Sequence, residues 1–287
     1  MDEVGAGRLS VEAAAWMVLN SSYAMMATGV FTFAACMLLN APYGRYSTSK
    51  GWGVLVPAEL AWVIMESPNL WTTYVIYGVL MDRSDETADK LTNSVANQVL
   101  LGFFLCHYVH RSIIYPFRMR DKVNAPMPLS VMLLAFAFCF WNGTQQALSL
   151  CMVHAYDDAW LSDPRFIGGM LLAVLGMCIN IHSDSILLGL SLRNKVNIVT
   201  TRSTNKPKRY VIPTGGMFEY VSAANYSGEI LEWFGFALAC WSLPALAFAL
   251  YTLSNIGPRG HNHHQWYLKT FGRTYPRNRK AVIPFVW

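Results

Sequence analysis

Charge is what this sequence has least of. Aspartate, glutamate, lysine and arginine together make up 14% of the 287 residues, while hydrophobic residues make up 54%. An average soluble domain carries roughly a quarter charged residues, so this chain has too little charge to cover a water-exposed surface. The composition argues against a soluble protein and indicates one whose surface faces the lipid bilayer.

Charge is also absent over long continuous stretches. A membrane-spanning helix needs about 20 largely apolar residues. The windows without any charged residue are 13–40, 91–110, 123–156, 166–183 and 233–258. The first window is too long for the apolar core of a secretory signal and no small-residue cleavage site follows it, so we expect a retained first span.

Several chemical signatures are missing as well. The six cysteines lie in or beside the apolar windows and none forms a CxxC pair, which argues against a disulfide framework or a zinc site. No GxGxxG, GxxxxGKS or GxxxxGKT pattern occurs, so a nucleotide would be held by helices and loops of a bundle. Seven histidines are too few for the ligand set of a di-iron desaturase, and we expect no metal.

The charges that are present alternate in sign along the chain. The N-terminus and the gaps at 82–90 and 157–165 are acidic, whereas the C-terminal tail and the gaps at 45–50, 111–122 and 193–209 are basic. Cytoplasmic loops carry the excess of lysine and arginine. The pattern predicts an all-α, polytopic membrane bundle with its N-terminus outside and its C-terminus in the cytoplasm.

The number of spans depends on the last third of the chain. Because the last loop and the tail are both basic, the segment between them must cross the membrane an even number of times. Residues 217–257 have the length for two crossings, with the turn between Phe236 and Pro244. Seven transmembrane helices result; the alternative is an interfacial segment at 217–232 and six spans.

Two candidate catalytic residues lie within apolar surroundings. Glu66 follows Trp62–Met65 and precedes a second apolar run, where desolvation disfavours a charged carboxylate. We therefore expect a neutral carboxyl that can donate a hydrogen bond, unless a cation pairs with it. Tyr108, in HYVHR at 107–111, adds a phenolic donor, with an interfacial belt tyrosine as the alternative.

Further polar residues mark the inner ends of the later spans. Asn180, His182 and Asp184 crowd the end of the fifth predicted span, at the end of the window 166–183, and suggest a ligand that enters from the cytoplasm. The sixth predicted crossing contains Glu229 and Glu232. Carboxylates at membrane depth are costly and normally face a protein interior or a water-filled cavity.

Several motifs resemble those of the steroid 5α-reductases and occur in the same order along the chain. The similarity runs from about residue 41 to residue 287, and two features, APYG at 41–44 and MESP at 65–68, are closer to the plant brassinosteroid-pathway members. The remaining motifs are ESP at 66–68, HYVHR at 107–111, NIHSD at 180–184, IPTGG at 212–216, YVSAANYSGEILEW at 220–233, and HHQWYLKTF and YPRNRKAVIPF at the C-terminus.

The resemblance implies a domain organisation and a reaction. It implies one membrane domain over residues 1–287, with a more variable part at 1–120 and a cofactor-binding part at about 121–287. The implied reaction is the NADPH-dependent reduction of 3-oxo-Δ4-steroids to 5α-steroids, with the C3 ketone held by Glu66 and Tyr108. We expect a monomer that binds a steroid and membrane lipid but no nucleic acid, in the endoplasmic reticulum if eukaryotic or the inner or plasma membrane if bacterial.

The resemblance also implies further contacts. Trp62 and Trp233 are implied to contact the steroid. The implied cofactor residues are Tyr43, Arg111, Arg120, Asn180, Asp184, Asn225, Glu229, His263 and Tyr267. Met65 and Val211 depart from the animal members, and the longer stretch at 196–207 has no counterpart that explains it.

Other functions stay open on sequence grounds. The C-terminal GE, EW and HxWY features are also reminiscent of sterol reductases, enoyl reductases and isoprenylcysteine methyltransferases, the last of which use S-adenosylmethionine. A polyprenol is another conceivable reductase substrate. A transporter is a further alternative, because carboxylates within a membrane also serve proton coupling.

Overall fold

The computed structural model describes residues 9–40, 42, 44–46, 50–81, 94–119, 125–200 and 210–287. These residues are predominantly helical, which confirms the all-α prediction. The α-helices in these ranges are α1 Val11–Leu38, α2 Ala58–Glu66, α3 Pro68–Met81, α4 Val95–Val109, α5 Tyr115–Met119, α6 Leu129–Leu148, α7 Pro164–Thr200, α8 Ala224–Cys240 and α9 Leu243–Phe271. A short antiparallel pair joins β1 Leu55–Val56 to β2 Met127–Pro128.

Each charge-free window of the sequence contains helix, whereas α2, α3 and the first half of α8 lie outside those windows. The predicted turn between Phe236 and Pro244 lies where α8 ends and α9 begins. Two of the described helices, Val11–Leu38 and Pro164–Leu190, are long and apolar enough to cross a membrane. The count of seven crossings and their orientation stay predictions, and the acidic gap at 82–90 and the stretch 201–209 lie outside the described residues.

Helix α6 is less apolar as a whole because several of its polar side chains face the interior. On α6, Asn142, Gln145 and Gln146 are at most 2% exposed. Nε2 of Gln146 and Nε2 of Gln145 both donate to the carbonyl of Pro244, at 3.1 and 3.4 Å, so α6 is bonded to the start of α9. Buried amides need such partners because a buried polar group without a hydrogen bond incurs a desolvation cost.

The apolar stretch that contains Glu66 is divided into two helices directly after that residue. Proline has no backbone N–H, so α3 begins at Pro68 and the carbonyl of Ile64 loses its usual helical donor. Oγ of Ser67 donates to that carbonyl instead, at 3.1 Å. The ESP sequence therefore ends α2 with Glu66 in its last turn.

A π-helical turn, His110–Ile114, joins α4 to α5 and contains Arg111. Such turns insert one residue into the helical repeat and so redirect the side chains that follow. Tyr108 precedes the turn and Arg111 lies within it. The HYVHR motif consequently spans the point where the helix of the charge-free window 91–110 changes its winding.

Helices α7 and α8 are in backbone contact along a seam of glycines. A Cβ atom at Gly169 would lie 2.3 Å from the backbone nitrogen of Ala239, and one at Gly176 would lie 2.3 Å from that of Glu232. Cβ atoms at Gly228 and Gly235 would meet α7 equally closely. Small residues allow this approach, which carries the polar side chains of both helices into hydrogen-bonding range.

The C-terminal tail fixes the start of α8. The backbone nitrogen of Ser222 donates to the carbonyl of Lys280 at 2.8 Å, and that of Ala223 donates to the carbonyl of Ala281 at 3.1 Å. Arg279 is buried and donates to the carbonyl of Pro213 at 2.8 Å. The tail thus holds the loop from which α8 begins.

The seam gives a stability prediction with a neighbouring control. Gly169→Ala should lower the melting temperature, because the added methyl meets the backbone of Ala239 and overpacking costs about 1–3 kcal/mol. Gly168→Ala, one residue earlier, meets nothing within 4 Å and should leave the melting temperature unchanged or raise it. Thermal unfolding of both variants in detergent tests the contact, and equal melting temperatures would contradict it.

Candidate functional site

Glu66 and Tyr108 both contact one face of α6. Sγ of Cys139 donates to Oε2 of Glu66 at 3.6 Å, and Nδ2 of Asn142 donates to the hydroxyl oxygen of Tyr108 at 3.2 Å. Cys139 and Asn142 are three residues apart and so share a helix face. The structure therefore brings the two predicted catalytic residues, from α2 and α4, to the same side of a third helix.

The ring of Tyr108 is packed within an aromatic cluster. It stacks on Trp233 with the ring centroids 6.0 Å apart, and Phe104 lies 4.8 Å away. Tyr108 and Trp233 are almost fully buried. Of the two predicted substrate-binding tryptophans, Trp233 is thus the one beside Tyr108.

Trp62 belongs to a second cluster around Arg111. The guanidinium carbon of Arg111 lies 4.4 Å from the ring centroid of Trp62 and 4.8 Å from that of Tyr115. Nη1 of Arg111 also donates to Oδ2 of Asp184 at 3.1 Å. A buried guanidinium needs both a counter-ion and a polarisable surface, and this arrangement supplies them.

Five of the predicted cofactor residues form one connected polar network. From Arg111 and Asp184 it continues to Asn225, whose Nδ2 donates to Oδ1 of Asp184 at 3.1 Å. Nδ2 of Asn180 donates to the carbonyl of Asn225 at 3.0 Å and to Oε2 of Glu229 at 3.2 Å. The close α7–α8 contact makes these bonds possible, because Asn180 packs backbone to backbone against α8.

The remaining described cofactor residues line a cavity of about 210 Å³. Asn225, His263 and Tyr267 are in its wall, together with Tyr46 and Arg259. The rings of Tyr46 and His263 are stacked with centroids 5.6 Å apart and planes within 7°. Because Asn225 belongs to both, the cavity adjoins the polar network.

The cavity wall is held by the C-terminal segment. Oγ of Ser222 lies 2.6 Å from Nδ1 of His264 and 2.5 Å from the hydroxyl oxygen of Tyr275. Burial raises the pKa of Tyr275, so this hydroxyl stays protonated and can hydrogen-bond. Tyr43 and Arg120, the other two predicted cofactor residues, lie outside the described residues.

Several buried polar residues near the site had not been predicted from the sequence as site residues. Asn69, Asn142 and Gln146 are buried amides, and Nδ1 of His107 lies 2.6 Å from Oε1 of buried Glu232. The signal for Asn142 and Gln146 was the run NGTQQ at 142–146, inside an apolar window, whereas Asn69 directly follows the ESP motif at 66–68. A search for charged and titratable residues overlooks it because amides carry no charge.

The histidines do not gather with other ligands. Within the described ranges, no group of three or more histidine, cysteine, aspartate or glutamate side chains is arranged to hold a metal ion. His182, the third member of the NIHSD cluster, is exposed and its ring packs against Gly216. The polar network is therefore formed by Asn180 and Asp184 without it.

Comparison with known proteins gives consistent matches over most of the chain. A family model described as 3-oxo-5-alpha-steroid 4-dehydrogenase matches residues 125–287. The chain is 42% identical to 3-oxo-5-alpha-steroid 4-dehydrogenase 1 of Bos taurus, over 92% of this chain and 95% of the relative. It is 44% identical to the Rattus norvegicus protein of the same name, over 86% and 87% of the two chains.

A plant relative matches over a similar length. The chain is 38% identical to steroid 5-alpha-reductase DET2 of Solanum lycopersicum, over 89% of this chain and 91% of the relative. Over the aligned regions, the cattle and rat relatives are more similar to the chain than this tomato protein is.

Proposed function

The chain belongs to the 3-oxo-5-alpha-steroid 4-dehydrogenase family, and on that premise we propose that it reduces the Δ4 double bond of a 3-oxo-Δ4-steroid with NADPH. It is an oxidoreductase of steroid metabolism. The observation that carries the proposal is the meeting of Glu66 and Tyr108 at one face of α6. A carboxyl and a phenol held there can both donate to a ligand carbonyl.

Stabilising the carbonyl oxygen is the task of these two donors. NADPH, when bound, supplies the hydride that is added at C5 of the steroid. Negative charge then develops on the C3 oxygen as an enolate, and Tyr108 and a neutral Glu66 hold that oxygen by hydrogen bonds. Preorganised donors of this kind contribute on the order of 3 kcal/mol each. A proton added at C4 completes the reduction.

The residues around the cavity fit a dinucleotide. Rings such as those of Tyr46 and His263 provide stacking surfaces, and the cavity also has the amide of Asn225 and the guanidinium of Arg259 in its wall. Guanidinium and amide groups are suited to phosphates and ribose hydroxyls. We assign Asn225, His263 and Tyr267 to the cofactor together with Asn180, Asp184 and Arg111, with Glu229 near the nicotinamide and Tyr43 and Arg120 as further contacts.

The aromatic cluster provides an apolar surface for the steroid. Trp233 is stacked beside Tyr108, and Trp62 lies four residues before Glu66 on α2. Flat apolar ligands are favoured by aromatic walls that have a few polar groups in fixed positions. The steroid is proposed to lie against these rings with its ketone toward Glu66 and Tyr108, in a protein that works as a monomer.

Tyr108→Phe tests the reduction. The variant keeps the ring stacked on Trp233 but removes the donor, so turnover of a Δ4-3-ketosteroid should fall about 100-fold while NADPH affinity stays within about 2-fold. Mass spectrometry of products from a panel of Δ4-3-ketosteroids, an enoyl thioester and a polyprenol provides the measurement. Tyr156→Phe is the control, because it also removes a phenolic hydroxyl, but one that donates to the backbone carbonyl of Cys240. Its turnover should stay close to that of the wild type. Product from the thioester or polyprenol alone would reject the proposed substrate.

The cofactor assignment is tested at neighbouring histidines of α9. His263→Ala should raise the dissociation constant for NADPH about 10-fold, because an aromatic stacking surface is lost. His261→Ala should leave it unchanged, since His261 lies outside the cavity wall and stacks on Trp287. Fluorescence titration of both variants with NADPH measures the difference; similar constants would remove His263 from the cofactor site.

We also propose seven crossings of the membrane, with the N-terminus outside. The alternating charges of the loops support this orientation, and the two long apolar helices support a location in the membrane. A membrane-impermeant maleimide supplied at the non-cytoplasmic face of sealed membranes should label Ser84→Cys, and it should label Ser203→Cys only after permeabilisation. The native cysteines set the background, and the opposite pattern would reverse the topology.

A further inference from the structure

Two buried amides, Asn69 and Asn142, connect the backbone carbonyl of Glu66 to Tyr108, and a third, Gln146, is bonded to Asn142. Nδ2 of Asn69 faces the carbonyl of Glu66 at 3.5 Å, and Oδ1 of Asn69 accepts from Nδ2 of Asn142 at 3.2 Å. Nδ2 of Asn142 also donates to the hydroxyl oxygen of Tyr108, at 3.2 Å. Oδ1 of Asn142 accepts from Nε2 of Gln146 at 3.3 Å. Asn69 and Asn142 are completely buried.

The carbonyl groups at the two ends of this series of hydrogen bonds fix the direction of every bond in it. Gln146 faces the carbonyl of Pro244 at 3.1 Å, and a carbonyl oxygen can only accept, so the NH₂ group of Gln146 must be on that side. At the other end Asn69 faces the carbonyl of Glu66 and must present its NH₂ group there. Asn142 therefore accepts from Gln146 and has both of its N–H bonds directed at Asn69 and Tyr108.

This direction decides what the phenol of Tyr108 can do. Its oxygen receives a hydrogen bond from Asn142, so its own proton is not needed on that side and is available to another acceptor. A phenol oxygen that accepts one bond also becomes a better donor in the next, because hydrogen bonds in a chain polarise one another. The amide chain thus aims the Tyr108 proton away from α6.

We propose that Asn142 is a positioning residue for the reduction, which orients the Tyr108 hydroxyl so that it donates to the substrate carbonyl. The inference rests on the proposed function, since it assigns to Tyr108 the role of carbonyl donor. Asn142 acts through Tyr108 and is not itself in contact with the steroid. The same face of α6 contacts Glu66 through Cys139, so one helix sets the position of both donors.

A double-mutant cycle separates this role from a general loss of packing. Asn142→Ala should lower kcat about 10-fold with NADPH affinity within about 2-fold, because one oriented hydrogen bond is lost. In the Tyr108→Phe background the same change should lower kcat by less than about 2-fold, since there is no hydroxyl left to orient. Rates are measured with a Δ4-3-ketosteroid and NADPH, both saturating.

Asn142→Asp distinguishes shape from polarity and provides a second variant if Asn142→Ala does not fold. The aspartate has nearly the same shape but presents oxygen acceptors, so it would draw the phenol proton toward α6. Its kcat should fall at least as far as that of Asn142→Ala. Wild-type turnover in Asn142→Asp would show that only the shape matters and would overturn the proposal.

Gln145→Ala is the matched control for loss of a buried amide. Gln145 is on the same helix, is equally buried and donates to Pro244 and Ser22 rather than to Tyr108. It should lower the melting temperature while leaving kcat within about 2-fold. An equal loss of kcat in Gln145→Ala and Asn142→Ala would contradict a specific role for Asn142.

The outcomes also separate this inference from the proposed function. If Tyr108→Phe keeps full turnover, the proposed role of Tyr108 is wrong. If Tyr108→Phe loses turnover but Asn142→Ala has no effect, or has the same effect in both backgrounds, the proposed function stands and the positioning role of Asn142 is wrong.

Discussion

Buried polar groups that can pair only with one another are the constraint on which this structure depends. The outer surface is apolar, with Val30, Phe31 and Leu134 each more than two-thirds exposed, as suits contact with lipid. A buried polar side chain without a partner incurs its desolvation cost, so amides such as Asn142 and Asn180 pair with groups on other helices, while the hydroxyl of Thr72 donates to a carbonyl of its own helix. The positions of the helices and the site follow from that pairing.

Close helix packing and polar pairing support each other. The glycine seam brings α7 and α8 into backbone contact, and this lets Asn180 reach Asn225 and Glu229. The Asp184–Asn225 bond then joins Arg111 to the wall of the cavity. The region proposed to hold the dinucleotide is therefore bonded to Arg111, which lies three residues after Tyr108 in the chain, and fixed positions of this kind suit a reaction that requires fixed donors.

Much of the site could be predicted because charged or phenolic groups in an apolar sequence attract attention. Glu66, Tyr108 and Asp184 were singled out for their chemistry, and the resemblance implied Asn225, His263 and Tyr267. Asn142 was not, because an uncharged amide carries little signal by itself. Its importance depends on which group donates and which accepts in the series of hydrogen bonds from Asn69 to Gln146. No sequence pattern places those two residues near Tyr108.

The sequence by itself determined the helical class, the turn between α8 and α9, and the residue types from which a lipid-facing oxidoreductase could be built. Those properties depend on composition, charge-free length and short motifs, which are local. Only the tertiary structure decided that Cys139 and Asn142 of one helix contact both Glu66 and Tyr108, and that Glu232 pairs with His107. Such partners lie far apart in the chain, and they are chosen by which helix faces can pack closely enough for buried groups to pair.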